Sequence, residues 1–448
     1  MLRCLPRQLS TVACSLLLCG CLLGPDYVRP RTPEPPAWHE PLGPSLTNAP
    51  PEKAQLATWW KVLDDPILSE LVDRAVAENL DIRAAKARLR QVRARRDIAR
   101  AGLYPTIRAE LLGLDTLWNI DVFGGQRRAI QGAVDDMGAS REDLRDVLVT
   151  IVAGTVQSYV DLRSYETRLL IADKNLDAQT QTLQIASWRA QAGLTTVLDV
   201  EQARANVEQT RAQIPTLRAG LEDSRNRLST LVAVPPGTLA EALAVHKPIP
   251  SAPKEVAVGV PADALAQRPD VRRAERQLAA ETARVGSVRA EGYPSFSMFG
   301  SIGILPSKFS DYQFQAVGGV NIIQVLFDGG AIRAKIAAQQ GIREEALDRY
   351  QSTVLRALED VEDGIVHYSE EQNRRESLTA AADSAERAAD LLRERYASGL
   401  VDFLSVLDAS RSLYQLQDQL AMSQSQVVSN LIRLYRSLGG GWAPQKKT

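Results

Sequence analysis

The stretch "RYASGLVDFLSVLDASR", residues 395–411, has a near copy some two hundred residues earlier, "RAQAGLTTVLDVEQAR", residues 189–204. In each, a helix-favouring run halts at a glycine, Gly193 or Gly399, and a second such run starts a few residues on. Glycine accepts positive φ without steric cost, so both stretches read as a turn between two helices. Two more blocks recur in the same order. "NLDIRAAKARLRQVRARRDIARAGLYP" (79–105) matches "RPDVRRAERQLAAETARVGSVRAEGYP" (268–294), with Tyr104-Pro105 on Tyr293-Pro294, and "NIDVFGGQRR" (119–128) matches "IIQVLFDGGAIR" (322–333). Three ordered blocks make the chain a tandem duplication of about two hundred residues. Each half reads helix, strand hairpin, long helix, glycine turn, helix.

Two segments, roughly 127 to 190 and 330 to 397, run without proline and are dominated by Ala, Leu, Arg, Glu and Gln. At about 1.5 Å per residue each would reach on the order of 100 Å, which implies a coiled coil, a helical repeat or a long tube. In the second, Leu347, Tyr350, Val354, Leu358, Val361, Ile365 and Tyr368 are spaced by steps of 3, 4, 4, 3, 4 and 3, close to a coiled-coil seam with one step out of phase. Composition fits this: 45% of the 448 residues are hydrophobic but only 5% aromatic, so apolar surface is spread along helices rather than gathered in a bulky core.

Between helices the period changes to two. In "SFSMFGSIGI", Phe296, Met298, Ile302 and Ile304 alternate with Ser295, Ser297, Ser301 and Gly303; in "QFQAVGGVNI", Phe314, Ala316, Val320 and Ile322 alternate with Gln313, Gln315 and Asn321. One apolar and one polar face suit a barrel with lipid outside and water inside, or equally a soluble sheet; the great helix length favours the barrel. The first hairpin is shorter: 18 residues separate Pro105 from Phe123, against 33 from Pro294 to Phe327. "TIRAELL" and "LWNIDVF" leave about seven residues per strand there, roughly 23 Å.

All four cysteines, Cys4, Cys14, Cys19 and Cys21, fall in the first 21 residues. Arg3 and Arg7 precede the short apolar run "LSTVACSLLL", and "LCGC" offers a cleavage site before Cys21. This pattern looks like a bacterial lipoprotein signal that leaves Cys21 to carry lipid; an ordinary secretory signal and the buried start of a cytosolic domain are the alternatives. Cleavage there excludes an internal disulfide. The following "LLGPDYVRPRTPEPPAWHEPLGP" is too rich in proline for helix or central strand and reads as an extended tether, and Asp65-Pro66 opens the first helix of the body.

These blocks resemble the outer membrane efflux protein family, the TolC-like channels, in its lipid-anchored branch serving resistance-nodulation-division pumps. The residues that carry the likeness are "CLLGPDYVRP", "PTLRAGLEDSRNRLSTLV", "RPDVRRAERQL", "EGYPSF", "LFDGGAIRAKI", "RYASGLVDFLSVLDASRSLYQLQDQL" and "LIRLYRSLGGGW", in order from Cys21 to Trp442. The resemblance implies a mainly α fold with a β-barrel portion: a tandem-duplicated long-helix α-barrel continuous with a twelve-stranded outer membrane β-barrel, each copy of a homotrimer giving four strands. It divides the chain into a signal peptide (1–20), a lipidated tether (21–58), a first repeat (59–234), an equatorial connector (235–261), a second repeat (262–438) and a C-terminal tail (439–448).

The function implied is the exit duct of a tripartite multidrug efflux system. Its partners would be a periplasmic adaptor, an inner-membrane pump and outer membrane lipid, with no cofactor beyond covalent lipid, palmitate included, on Cys21. The protein would sit in the outer membrane and extend into the periplasm. Gly193 and Gly399 become periplasmic hairpin tips. Leu404 and Asp408, four apart on one helix face, match the family's constricting apolar and acidic positions, where a ring of aspartates favours cations. Arg395, Tyr396, Asp402 and Arg411 surround the second tip as candidate links holding a closed state, with an arginine pairing to a carboxylate of the neighbouring hairpin.

Other classes find little support. The 53 Lys and Arg nearly cancel 54 Asp and Glu, giving no basic excess for nucleic acid. His39, His246 and His367 lack metal-ligand spacing, "FDGGAIRAK" lacks the Lys-Ser/Thr of a phosphate-binding loop, and Glu359, Asp360, Glu362 and Asp363 read as a solvated helix face. The competing function is a lipid-anchored coiled coil that spans the periplasm without a pore, which the short first hairpin favours.

Overall fold

A computed structural model describes residues 22–31, 35–50, 52–111, 113–305 and 313–442; Cys21 lies outside them. The elements run β1 (Leu46–Thr47), α1 (Lys53–Ala57), a 3-10 turn (Trp59–Leu63), α2 (Pro66–Glu78), α3 (Leu80–Ala101), β2 (Thr106–Glu110), β3 (Gly113–Ile120), α4 (Gly125–Gln191) and α5 (Val197–Leu231). They continue with β4 (Val256–Ala257), α6 (Pro261–Gln267), α7 (Pro269–Ala290), β5 (Ser295–Leu305), β6 (Gln313–Ile323), α8 (Ala331–Ala397) and α9 (Phe403–Ser437). The duplication appears as matched lengths: 22 residues in α3 and α7, 67 in α4 and α8, 35 in α5 and α9. No described helix is long and apolar enough to cross a membrane.

Two compact units form. Among the described residues, the first takes 22–31 with those of 84–145 and 269–356, and the second takes those of 35–83, 146–268 and 357–442. In the first unit the four longer strands make one antiparallel sheet in the order β2-β3-β5-β6. The hairpin strands are not two sevens: β2 holds five residues and β3 eight, and β3 begins at Gly113 instead of Leu117. Asp121 and Asp328, at the turns entering α4 and α8, accept from backbone N–H groups of Gln126 and Arg127 (3.1 and 2.9 Å) and of Gly330 and Ile332 (2.8 and 2.6 Å). Each carboxylate satisfies donors that a helix start leaves unpaired.

Along α8 the seam is more regular than the large side chains suggest. Tyr350, Val354, Ala357, Val361, Gly364 and Tyr368 are all buried, at steps of 4, 3, 4, 3 and 4, whereas Leu358 is only half-buried. The out-of-phase step disappears once Ala357 and Gly364 take the places assigned to Leu358 and Ile365, the latter being buried as well, and a Cβ on Gly364 would come within 3.3 Å of Leu434 Cδ1. Small residues here let α8 and α9 approach closely.

The second unit corrects two further readings. The proline-rich segment is extended but seated: the Trp38 indole donates to the Gly259 carbonyl at 2.8 Å, and β1 pairs in parallel with β4. The acidic cluster on α8 is only partly solvated, since Glu362 accepts from the backbone N–H groups of His39 (2.8 Å) and Glu40 (3.3 Å), and Asp360 pairs with Arg268 at 2.8 Å. Asp65 caps α2 by accepting from Ile67 N–H at 2.9 Å, and Trp59 stacks on Tyr435 with ring centroids 5.2 Å apart.

Candidate functional site

Residues directly paired across an antiparallel sheet share a face, so the register sorts the four-stranded sheet into two surfaces. On one lie Ile107, Ala109, Leu114, Trp118, Ile120, Phe296, Met298, Ile302, Ile304, Phe314, Ala316, Val320 and Ile322, with Thr116 the one polar side chain among them. The other carries Thr106, Arg108, Glu110, Asp115, Asn119, Ser295, Ser297, Ser301, Gln315 and Asn321, interrupted by Leu117, Phe299, Val317 and Ile323. The apolar surface is bare: Phe314 is 70% exposed and Ile322 62%. So large an uncovered apolar sheet face marks contact with lipid or a partner.

The second unit holds both helix tips. Gly193 (φ +72°) and Gly399 (φ +75°) each follow a helix in the left-handed conformation. At the first tip Leu194 N–H reaches the Arg189 carbonyl and Gly193 N–H that of Ala190; at the second, Leu400 reaches Arg395 and Gly399 reaches Tyr396, with all four distances between 2.8 and 3.0 Å. This pair of crossed bonds is the Schellman motif, built twice. Thr196 then caps α5 in a reciprocal box with Asp199, and Asp402 caps α9, accepting from Ser405 N–H at 3.0 Å and from the Ser405 hydroxyl. Those two Ser405 bonds hold the Asp402 carboxyl below its ordinary value.

Between the tips, Ala186, Ala203, Tyr396, Phe403, Val406 and Leu407 form a small core. Arg189 closes it: its Nη1 donates to the Tyr396 carbonyl at 2.5 Å, and its guanidinium carbon lies 4.6 Å from the centre of the Tyr396 ring. Burial raises the Tyr396 hydroxyl above its usual range, which Arg189 partly offsets; Thr195 lies beside this oxygen without a well-formed hydrogen bond. A second link joins α9 to α5, from Arg411 Nε to Asn206 Oδ1 at 3.2 Å.

Of the residues singled out in the sequence, Tyr396 and Arg411 thus join the two tips, Asp402 serves as a helix cap, and the Arg395 side chain is exposed. Among the described residues neither Arg395 nor Arg411 meets a carboxylate. Sequence reasoning missed Arg189, although it is the repeat counterpart of Arg395, four residues before its glycine. Leu404 is 51% exposed and Asp408 is exposed one turn further on. They begin a stripe of exposed side chains along α9, continuing through Ser412, Gln415, Gln419, Met422 and Gln426, in which Asp408 is the single carboxylate. From Asp408 onward the stripe keeps the 3.5-residue period, with Leu404 one step out of phase, and it is legible in principle from the sequence.

The family model described as outer membrane efflux protein matches residues 71–234 and 260–440, most of the chain. The chain belongs to the outer membrane efflux protein family. Family members are transport channels, not enzymes. Among relatives, this efflux protein is 30% identical to the pyoverdine export outer membrane protein OpmQ of Pseudomonas putida, over 99% of both chains. It is 29% identical to nodulation protein T of Rhizobium leguminosarum bv. trifolii, over 97% of both. Among solved structures, the outer-membrane channel OprN matches with a TM-score of 0.87 and 32% identity, covering 95% of this efflux protein and all of that chain. The open-state MtrE channel of Neisseria gonorrhoeae shares the fold, with a TM-score of 0.82 at 23% identity.

Proposed function

We propose that this efflux protein is the outer membrane exit duct of a tripartite system, conducting drugs or other small toxic compounds passively once an inner-membrane resistance-nodulation-division pump and a periplasmic adaptor deliver them. Three copies supply four strands each to one twelve-stranded barrel, and their helices continue the duct into the periplasm. A lipid on Cys21 adds an anchor. The observation that carries this reading is the sorting of the sheet by register, with a nearly unbroken apolar surface backed by a hydroxyl-, amide- and charge-bearing one. Relatives named for export of pyoverdine and of toluene support a small-molecule cargo.

At the periplasmic end, Leu404 and Asp408 line the aperture, and the otherwise uncharged stripe behind them gives a wall that interacts weakly with diverse solutes. The Arg189–Tyr396 and Arg411–Asn206 bonds hold the two tips of one copy together, and the closed state depends on them; Arg395 is placed to reach a neighbouring copy. The alternative, a lipid-anchored periplasmic coiled coil without a pore, draws on the short β2 and β3.

Paired arginine substitutions separate the two readings. Ile302→Arg on the apolar surface is expected to cost about 2–4 kcal/mol of barrel stability in a bilayer, while Ser301→Arg on the polar surface leaves insertion intact and changes conductance. Equal tolerance of both substitutions would contradict the membrane assignment.

A further inference from the structure

The residues that follow Cys21 are held against the first unit by a buried cation. Arg128, in the first turn of α4, is 1% exposed. Its Nε donates to the Leu23 carbonyl at 2.9 Å, and its Nη2 donates to the Gly24 carbonyl at 3.2 Å and to Asp26 Oδ1 at 2.8 Å. Gln131 Oε1 accepts from Nη1 at 2.9 Å. A buried guanidinium whose N–H groups lose their acceptors is strongly destabilising. Here most of the matching acceptors belong to residues 23–26, so the buried charge and the seated segment require each other.

The fit around that segment is close. Gly24 has φ +92°, and a Cβ there would lie 2.4 Å from the Gly286 Cα; a Cβ on Gly286 would lie 2.6 Å from the Leu23 carbonyl oxygen. Leu23 N–H donates to the Phe123 carbonyl at 3.3 Å, three residues beyond the end of β3. Phe123 in turn packs on Tyr293, with ring centroids 4.9 Å apart, and lies 6.3 Å from Phe296 in β5. The chain therefore meets the body at the foot of the shorter hairpin. The five residues of β2 span only about 17 Å, against an apolar band of about 25 Å in outer membrane barrels.

We infer that Arg128 is a positioning residue for the membrane anchor: by seating residues 23–26 at the foot of β3, it fixes the place at which lipid carried by Cys21 enters the bilayer. The anchor then supplies, beside the short hairpin, attachment that the length of β2 does not. This rests on the outer membrane reading and on acylation of Cys21.

The test uses the full-length lipidated protein in vesicles of brominated phosphatidylcholine. Because every native cysteine lies within the first 21 residues, cleavage and acylation leave no free thiol, and Ile107→Cys on the apolar surface of β2 takes a single fluorophore. Arg128→Gln, Gly24→Ala and Gly286→Ala unseat the segment by three different routes. Each is expected to speed chymotryptic cleavage after Tyr27 about tenfold or more and to lower quenching of the fluorophore by about half or more, with Arg128→Lys intermediate. Unchanged cleavage, or unchanged quenching, across the three variants would overturn the inference. Quenching that persists in Cys21→Ser would overturn it while leaving the outer membrane reading in place. A fluorophore never quenched in the parent would remove both.

Discussion

Arg189 and Tyr396, 207 positions apart in sequence, meet in one contact: the guanidinium covers the tyrosine ring and donates to the same residue's carbonyl oxygen. Duplication gave the two tips the same turn, yet only the second has an aromatic residue after its arginine, since Ala190 stands where Tyr396 would correspond. The first tip contributes the cation and the second the ring.

Arg189→Ala is therefore expected to loosen the tips, losing about 1–3 kcal/mol and raising the open fraction in single-channel recordings. Tyr396→Phe should be close to neutral, because the buried hydroxyl has no bond to lose, whereas Tyr396→Ala empties the tip core and should cost about 3–5 kcal/mol. A severe loss in Tyr396→Phe would show that the hydroxyl, and not the ring, makes the link.

The Schellman turns give a prediction of opposite signs. After α5 the chain turns at Ala233 with φ +57°, whereas the corresponding turn after α9 uses Gly439 with φ +76°. An L side chain in this conformation is strained by about 1 kcal/mol. Ala233→Gly should thus stabilise, and Gly399→Ala should destabilise, each by about that amount in denaturant titrations; the same sign for both would refute the argument.

Acid sensitivity should appear at Asp65. Burial opposes its charge, but hydrogen bonds from Tyr159 (2.5 Å), Lys247 (2.9 Å) and Ile67 N–H outweigh burial and hold the carboxyl below its ordinary value. With the folded pKa below the unfolded one, this contribution is complete above the unfolded pKa of about 3.9 and is lost as pH falls through the folded value. Asp65→Asn should be about 1–3 kcal/mol less stable than the parent at pH 7, with the gap narrowing below about pH 4. A gap that stays constant down to pH 3 would contradict this account.

The trimer reading predicts a specific contact between copies. Within one chain Phe123, just after β3, packs on Tyr293, which leads into β5. The repeat counterparts Phe327 and Tyr104 are 90% and 69% exposed. If the β6 edge of one copy meets the β2 edge of the next as β3 meets β5, cysteines at 104 and 327 should cross-link into a covalent trimer under mild oxidation. Monomer alone would count against that closure.

Much of the architecture was legible because long-range order here is written as local periodicity. The 67-residue helices, both glycine tips and the β5–β6 hairpin follow from period and punctuation alone. What was not legible turned on small or polar side chains in structural roles. Gly113 and Asp115 disfavour strands in isolation, so propensity alone starts β3 at Leu117, yet register puts Asp115 on the polar surface beside Arg108. Ala357, the buried seam residue, is overshadowed in the sequence by its larger neighbour Leu358. Arg189 carries no signal of its own in the sequence, because its partner is a carbonyl and a ring, neither of which has a charge signature.

The most direct test of the central claim is conductance of the purified protein in planar bilayers, with Asp408→Ala alongside. Discrete, cation-selective steps that grow or lose selectivity in Asp408→Ala are the predicted result. No steps, from protein shown separately to be a folded trimer, would contradict the exit-duct account and leave the periplasmic tether in its place.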